Sequence, residues 1–251
     1  MSLFETEINK REHTLWVEKY RPQTLADYVG NETVKETISQ YLESNDIPHL
    51  LFYGKAGTGK TTLAKLIVGG IKCDSMVLNA SDENNVDTVR TKVKNFASSV
   101  GFAGFKVIIL DEFDYMTPNA QAILRNLMET FSKHCRFILT CNYIEKIIDP
   151  IQSRCQSFAI TPPTKRDVAV QVARILDTEG IRYDTKTVAE VINSYYPDIR
   201  RVINTCQLQS VKGELRIDRQ VMVESDFKTK LIDLLKAKDD KRNTFINVRQ
   251  A

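Results

Sequence analysis

The sequence predicts a doubly wound α/β domain followed by a small α-helical domain, on three observations. Apolar strand-like runs alternate with helix-period stretches from residue 50 to about residue 160. The first of these runs, Leu50–Tyr53, feeds directly into Gly54-Lys55-Ala56-Gly57-Thr58-Gly59-Lys60-Thr61, a glycine-rich turn that opens a helix. Thr161-Pro162-Pro163-Thr164 then stops the alternation, and residues 165 to about 210 carry helical periodicity alone. The division expected is 1–161 for the α/β domain, 162–212 for the helical domain and 213–251 for a charged C-terminal segment.

Each element has a local reason. Residues 16–22, Trp-Val-Glu-Lys-Tyr-Arg-Pro, mix aromatic, apolar and basic groups and read as a segment packed over a core. Helix-like stretches follow at 32–43 and, after the turn, from Lys60 to Gly69, where a Gly-Gly pair ends it. Met76–Asn79 is a short strand, and 86–100 is a helix with Val86, Val89, Val93, Phe96 and Val100 on one face. Lys106–Leu110 is a continuous apolar run, as expected of a parallel strand buried on both faces. A helix over 118–131 and a strand over Phe137–Thr140 complete the α/β pattern. Helices are expected at 165–178, 185–195 and 198–209, and one more over Phe227–Lys238.

Composition bounds the rest. The chain of 251 residues has 42% hydrophobic and 27% charged residues, ordinary for a globular protein of two domains. No apolar run approaches the roughly 20 residues that cross a bilayer, and the charged N-terminus lacks a signal-peptide core, so an intracellular, soluble protein is expected. Five scattered cysteines without a C-x-x-C pair read as reduced, packed thiols. With a net charge of only +3, any nucleic-acid contact must come from local placement of Lys and Arg.

The chemistry starts at the glycine-rich turn, which fits G-x-x-x-x-G-K-[ST]. Its glycines let backbone N–H groups wrap an anion at a helix N-terminus, Lys60 adds charge for the β/γ-phosphates and Thr61 offers a hydroxyl to Mg²⁺. This protein is expected to bind a nucleoside triphosphate. The strand 106–110 ends in Asp111-Glu112, at the edge where open α/β sheets bind ligands. Asp111 is suited to holding Mg²⁺ through water and Glu112 to polarising an attacking water. Asn142, at the next strand's end, is placed to reach the γ-phosphate or that water, or is a turn residue. Arg154, Arg200 and Arg201 are either surface arginines or donors to transferring phosphoryl oxygens. Arg90 and Lys94, four apart, share one helix side that is either solvated or phosphate-binding.

Taken in order, VEKYRP at 17–22, GKAGTGKTT at 54–62, NASDEN at 79–84, VR at 89–90, IILDEFDYMT at 108–117, TCN at 140–142, QSRC at 152–155 and PDIRR at 197–201 resemble the AAA+ ATPases. Within them the sequence is similar to the small motor subunits of sliding-clamp loaders, the replication factor C small subunits and their T4-like phage counterparts. The resemblance covers residues 14–210 and implies an AAA+ P-loop domain followed by a helical lid.

By that resemblance Val17, Tyr20 and Pro22 line an adenine pocket, and Gly57, Thr58, Gly59, Lys60, Thr61 and Thr62 hold the phosphates of ATP. Thr61 and Asp111 serve Mg²⁺, and Glu112 serves the attacking water. Asn142 corresponds to sensor 1, Arg200 to sensor 2, and Arg154 to an arginine finger acting on a neighbouring subunit's ATP. Asn79 corresponds to the residue that restrains the catalytic glutamate. Arg90, Lys94 and the helix start at Thr117 face primer–template DNA, and Gln121 couples DNA binding to the nucleotide site. The implied partners are a sliding clamp, primer–template DNA and other loader subunits in a pentamer, in the cytoplasm or, for a eukaryotic source, the nucleus.

There are departures. Lys55-Ala56 stands where relatives commonly have two prolines, Phe113 replaces a small residue, and Pro197 replaces a glycine. Family members continue into a helical collar, of which residues 213–251 would supply only the beginning; a fragment or a different assembly is implied. The alternatives are another DNA-associated AAA+ ATPase, of helicase, translocase or origin-binding type, and a non-hydrolysing nucleotide-binding scaffold.

Overall fold

The computed structural model describes residues 15–82, 86–101, 103 and 105–216. They divide into two compact units, Arg21–Thr164 and a second made of the residues up to Tyr20 together with those from Lys165 onward.

The first unit is built on a five-stranded parallel sheet in the order β2-β3-β4-β1-β5, with β1 Leu50–Tyr53, β2 Asp74–Asn79, β3 Lys106–Asp111, β4 Cys135–Cys141 and β5 Gln156–Ala159. The crossover helices are α3 Lys60–Gly70, α4 Val86–Ser98, α5 Pro118–Thr130 and the single turn α6 Asp149–Gln152, preceded by α2 Glu32–Ser44. The strand period of two sorts the apolar runs onto opposite faces. Leu51, Ile108, Leu110, Phe137 and Leu139 join α4 and α5 in one core. Leu50, Phe52, Val107, Ile109 and Ile138 join α2 and α3 in another. The middle positions of the interior strands, Leu50–Phe52, Val107–Leu110 and Phe137–Leu139, are apolar and buried because both faces are covered. The edge strand β5, exposed at Gln156, Ser157 and Ala159, is correspondingly polar.

α5 starts where sequence and capping chemistry agree: Thr117 accepts the Ala120 N–H at 3.3 Å and Pro118 occupies the first helical position. In-register pairing puts Asn79 beside Asp111, Leu110 beside Leu139 and Tyr53 beside Cys141, so β1, β3 and β4 end within about one residue of each other.

The second unit contains α1 Trp16–Lys19, α7 Lys165–Thr178, α8 Thr185–Tyr195, α9 Ile199–Gln209 and a hairpin of β6 Ser210–Val211 and β7 Glu214–Leu215. Asp184 and Asp198 cap α8 and α9 by accepting the Lys186 and Arg201 N–H groups. Residues 16–19 form a helical turn whose Trp16 is buried with Val168, Val172, Ile192 and Val202, while the Trp16 backbone N–H donates to Gln207 Oε1 at 2.9 Å. Linear reading assigns these residues no partner; a large indole and a neighbouring Val17 gain most where helices offer apolar surface. The expected helix over Phe227–Lys238 lies outside the described residues.

Candidate nucleotide-binding and hydrolysis site

The turn after β1 is a cradle that only glycine fits at two points. Gly54 has φ +147°, and a Cβ there would lie 2.4 Å from the Ile160 carbonyl oxygen. Gly59 has φ +94°, and a Cβ would meet the Tyr28 ring at 3.0 Å. Tyr28 is buried, its phenol pKa pushed up by that burial, and its hydroxyl donates to the Thr58 carbonyl at 3.4 Å. Thr58 itself is buried, its hydroxyl donating to the Lys55 carbonyl at 2.9 Å. Sequence reading gives Tyr28 no role, because nothing local links it to a loop thirty positions away.

Lys60, only 8% exposed, directs its ammonium at the Gly54 and Lys55 carbonyls, both at 2.8 Å, and at Asn142 Oδ1 at 2.9 Å. Thr61 Oγ1 donates to both oxygens of Asp111, at 2.8 and 3.0 Å. Thr62, half-buried, follows on the first turn of α3. The residues that would hold Mg²⁺, Thr61 and Asp111, thus converge as hard oxygen donors beside a lysine and a cradle stripped of Cβ atoms. That donor set fits a magnesium-bound triphosphate.

Thr140, buried on β4, is a site residue missed in the sequence. Its hydroxyl donates to Asp111 Oδ1 and accepts the Glu112 N–H at 3.2 Å, so one side chain fixes the carboxylate and the next residue's backbone. Glu112 sits at φ +55°, a left-handed conformation that turns the chain sharply off β3. Thr140 stands in the Thr-Cys-Asn run at 140–142 that carries part of the family resemblance, but that run assigned a role to Asn142 alone.

Gln121, fully buried on α5, donates to the Met116 and Lys146 carbonyls at 3.1 and 3.0 Å and accepts the Ile148 N–H at 2.9 Å. It joins the segment after the acidic pair to the segment between Asn142 and Arg154. Cys141, next to Asn142, is pushed up to about 12, first by burial and then by the Asp114 carboxylate.

Asn79 lies beside Asp111 across the β2–β3 pairing, while Arg90, Lys94, Thr117 and Arg154 are exposed on helices and turns. The Asn79 oxygen accepts the Ser81 N–H and hydroxyl, both at 3.0 Å, and among the described residues Asn79 makes no hydrogen bond to Glu112. Arg90 and Lys94 are exposed on α4, and Thr117 is exposed at the start of α5. Arg154, in the turn after α6, donates to the Pro150 carbonyl at 2.6 Å and pairs with Glu129 of α5 at the surface. Glu129 is a second residue without a sequence signal.

Val17, Tyr20 and Arg200 belong to the helical unit and Pro22 to the α/β unit. The Tyr20 hydroxyl donates to Glu179 at 2.7 Å, and Arg200 is exposed near the start of α9. Its neighbour Arg201 lies 4.8 Å over the Tyr195 ring. No helix among the described residues is long and apolar enough to cross a membrane.

Comparison with known proteins extends this picture. Residues 50–163 match the ATPase family associated with various cellular activities (AAA). The replication factor C small subunit of Natronomonas pharaonis is 46% identical over 205 residues, 79% of this chain and 63% of that protein. That of Sulfurisphaera tokodaii is 42% identical over 82% of this chain and 65% of its own length. That of Haloarcula marismortui is 42% identical over 85% of this chain and 68% of its own. The chain therefore spans about two thirds of the length of these curated relatives. In fold it is similar to the Thermotoga maritima RuvB Holliday junction branch migration motor, with a TM-score of 0.65 at 19% identity over 82% of this chain and 72% of that one. With identity of 42–46% over 79–85% of its length, this chain belongs to the replication factor C small-subunit family of AAA ATPases.

Proposed function

We propose that this chain is an ATPase subunit of a sliding-clamp loader, which uses ATP binding to close neighbouring subunits around a clamp and primer–template DNA, and hydrolysis to let go. The observation that carries the reading is a division of labour within one unit. Lys60 bonded to Asn142, and Thr61 bonded to Asp111 together with Thr140, are two hydrogen-bonded groups brought side by side by the consecutive residues Lys60 and Thr61, whereas Arg154 is exposed at the surface and pairs with Glu129. An arginine so presented is available to a nucleotide on another subunit.

In this mechanism the Lys60 ammonium exchanges its carbonyl partners for the β- and γ-phosphates when ATP enters. Magnesium, held by Thr61 and Asp111, supplies charge neutralisation for the phosphate oxygens. The Glu112 carboxylate orients the attacking water and accepts its proton, while Thr140 holds the backbone that carries Glu112. As water bonds to the γ-phosphorus, the bond to the β–γ bridging oxygen breaks and ADP leaves with the electron pair. Asn142 fixes the water or a γ-oxygen. Arg154 of the neighbouring subunit donates to the equatorial oxygens, an effect of about 10³–10⁵ in rate in phosphoryl transfer. Arg200 reads the γ-phosphate from the helical unit, and the adenine is held by Val17, Tyr20 and Pro22. Arg90, Lys94 and the amides after Thr117 contact DNA phosphates, with Asn79 and Gln121 relaying that contact.

The test is ATPase rate with and without primer–template DNA and a clamp, alongside the mass of the assembled species. Stimulation by both, confined to the oligomer, is expected. An unstimulated rate from a strictly monomeric preparation overturns the reading.

A further inference from the structure

Arg154 is exposed, yet it is held. Its backbone is fixed first: Ile151 is fully buried, Cys155 packs against the same core, and the Arg154 N–H donates to the Ile151 carbonyl at 3.0 Å. Gln152 ties the turn back further, donating to the Ile144 and Ile147 carbonyls at 3.2 and 2.7 Å. The guanidinium is then engaged at both of its terminal nitrogens. Nη1 donates to the Pro150 carbonyl at 2.6 Å, and Nη2 pairs with the Glu129 carboxylate. Pro150 belongs to the arginine's own segment, whereas Glu129 comes from the last turn of α5, next to the buried Met128. The same helix grips that segment at its other end, where the buried Gln121 donates to the Lys146 carbonyl and accepts the Ile148 N–H. One packed helix thus holds the arginine-bearing segment at two points, and the second of them is the guanidinium itself.

We propose that Glu129 is a positioning residue for Arg154, holding the guanidinium in one orientation so that its remaining N–H groups are aimed at the triphosphate of a second subunit. A guanidinium is a rigid plane of donors, so engaging both terminal nitrogens sets the direction of the rest. A mobile arginine gives up rotamer freedom each time it donates to a phosphate; one already held has less to lose, and the difference appears where the transferring oxygens gain charge. Glu129 touches no nucleotide in this scheme and acts only through Arg154. An exposed ion pair adds little to folding stability, so the consequence of this one belongs in turnover and not in the melt. Resting on the reading of Arg154 as a donor between subunits, this role extends it by naming what aims the donor.

The test combines ATPase kinetics of the assembled chains with denaturant melts. Glu129→Ala should lower kcat by roughly 10–100-fold, with KM for ATP within about twofold and the melting midpoint unchanged. Glu129→Gln, which keeps an acceptor oxygen at the same reach, should recover most of the loss. Mixed chains locate the effect. Lys60→Ala supplies an intact arginine and Arg154→Ala an intact cradle; adding Glu129→Ala to the first chain should impair their mixture, and adding it to the second should not. An unchanged kcat, equal impairment from either chain, or a kcat loss that follows a lowered melting midpoint overturns the proposal. If the mixture without Glu129→Ala is already inactive, it is action between subunits that fails, and the Arg154 guanidinium resonances decide the positioning. The two Nη resonances should be separate in the wild type, where the pairing hinders rotation about Nε–Cζ, and should merge in Glu129→Ala. Merged resonances in the wild type, or separate ones in the variant, overturn it.

Discussion

The hydroxyl of Thr61, on the first turn of α3, donates to both carboxylate oxygens of Asp111 at the end of β3, at 2.8 and 3.0 Å. Fifty residues apart in sequence, they meet because β1 and β3 flank β4 in a parallel sheet where these strands end within about one residue of each other. Metal-dependent nucleotide binding should therefore need both. Thr61→Val and Asp111→Asn are each expected to lower the Mg²⁺-dependent part of ATP affinity by about tenfold or more, and the double variant by less than the product. Binding of a fluorescent ATP analogue with Mg²⁺ and with EDTA checks this.

Arg154 predicts complementation. Alone, Arg154→Ala should leave ATP affinity within about twofold while turnover falls by roughly 10³. Lys60→Ala should lose nucleotide binding altogether. If the guanidinium acts in trans, mixing the two inactive chains restores hydrolysis at the junctions that pair an intact cradle with an intact arginine. Turnover of the mixture, measured against chain ratio, should peak near equal proportions; additivity of two inactive preparations would place both groups in one subunit.

Gln121 should matter to stability as well as to signalling. Gln121→Leu keeps the volume but strands the Met116 and Lys146 carbonyls and the Ile148 N–H in the interior. The expected loss is roughly 2–4 kcal/mol, read by denaturant melts with an unchanged m-value.

His49 predicts an acid-sensitive fold. Burial, and then the charge of Arg136, lower its pKa from 6.5 to about 4, while its Nδ1 accepts the Phe137 N–H at 3.1 Å. The unfolded chain binds a proton below about pH 6.5 that the native imidazole refuses until about pH 4. Stability from this group is thus complete above pH 6.5 and is lost as pH falls towards 4. Allowing for partial solvent access, the amount is roughly 1–2 kcal/mol. Denaturant melts across that window should show the slope in the wild type and a flatter profile in His49→Gln.

The sequence by itself determined what short-range physics determines. Val107-Ile108-Ile109-Leu110 is buried at every position, as a strand covered on both faces must be. The glycines of the phosphate loop and the Pro-Pro stop after β5 declare backbone conformation locally, and the α/β alternation followed by helices is the architecture observed. Only the tertiary structure decided the pairings across long loops. Thr140 reaches Asp111 because β3 and β4 are neighbours, and Glu129 reaches Arg154 because the end of α5 faces the turn after α6. Trp16 joins helices 150 and more residues later, and Asp114 is buried with no hydrogen-bond partner for its carboxylate among the described residues. These contacts are set by sheet order and helix docking, whose energies are spread over dozens of apolar side chains, so no local pattern announces them.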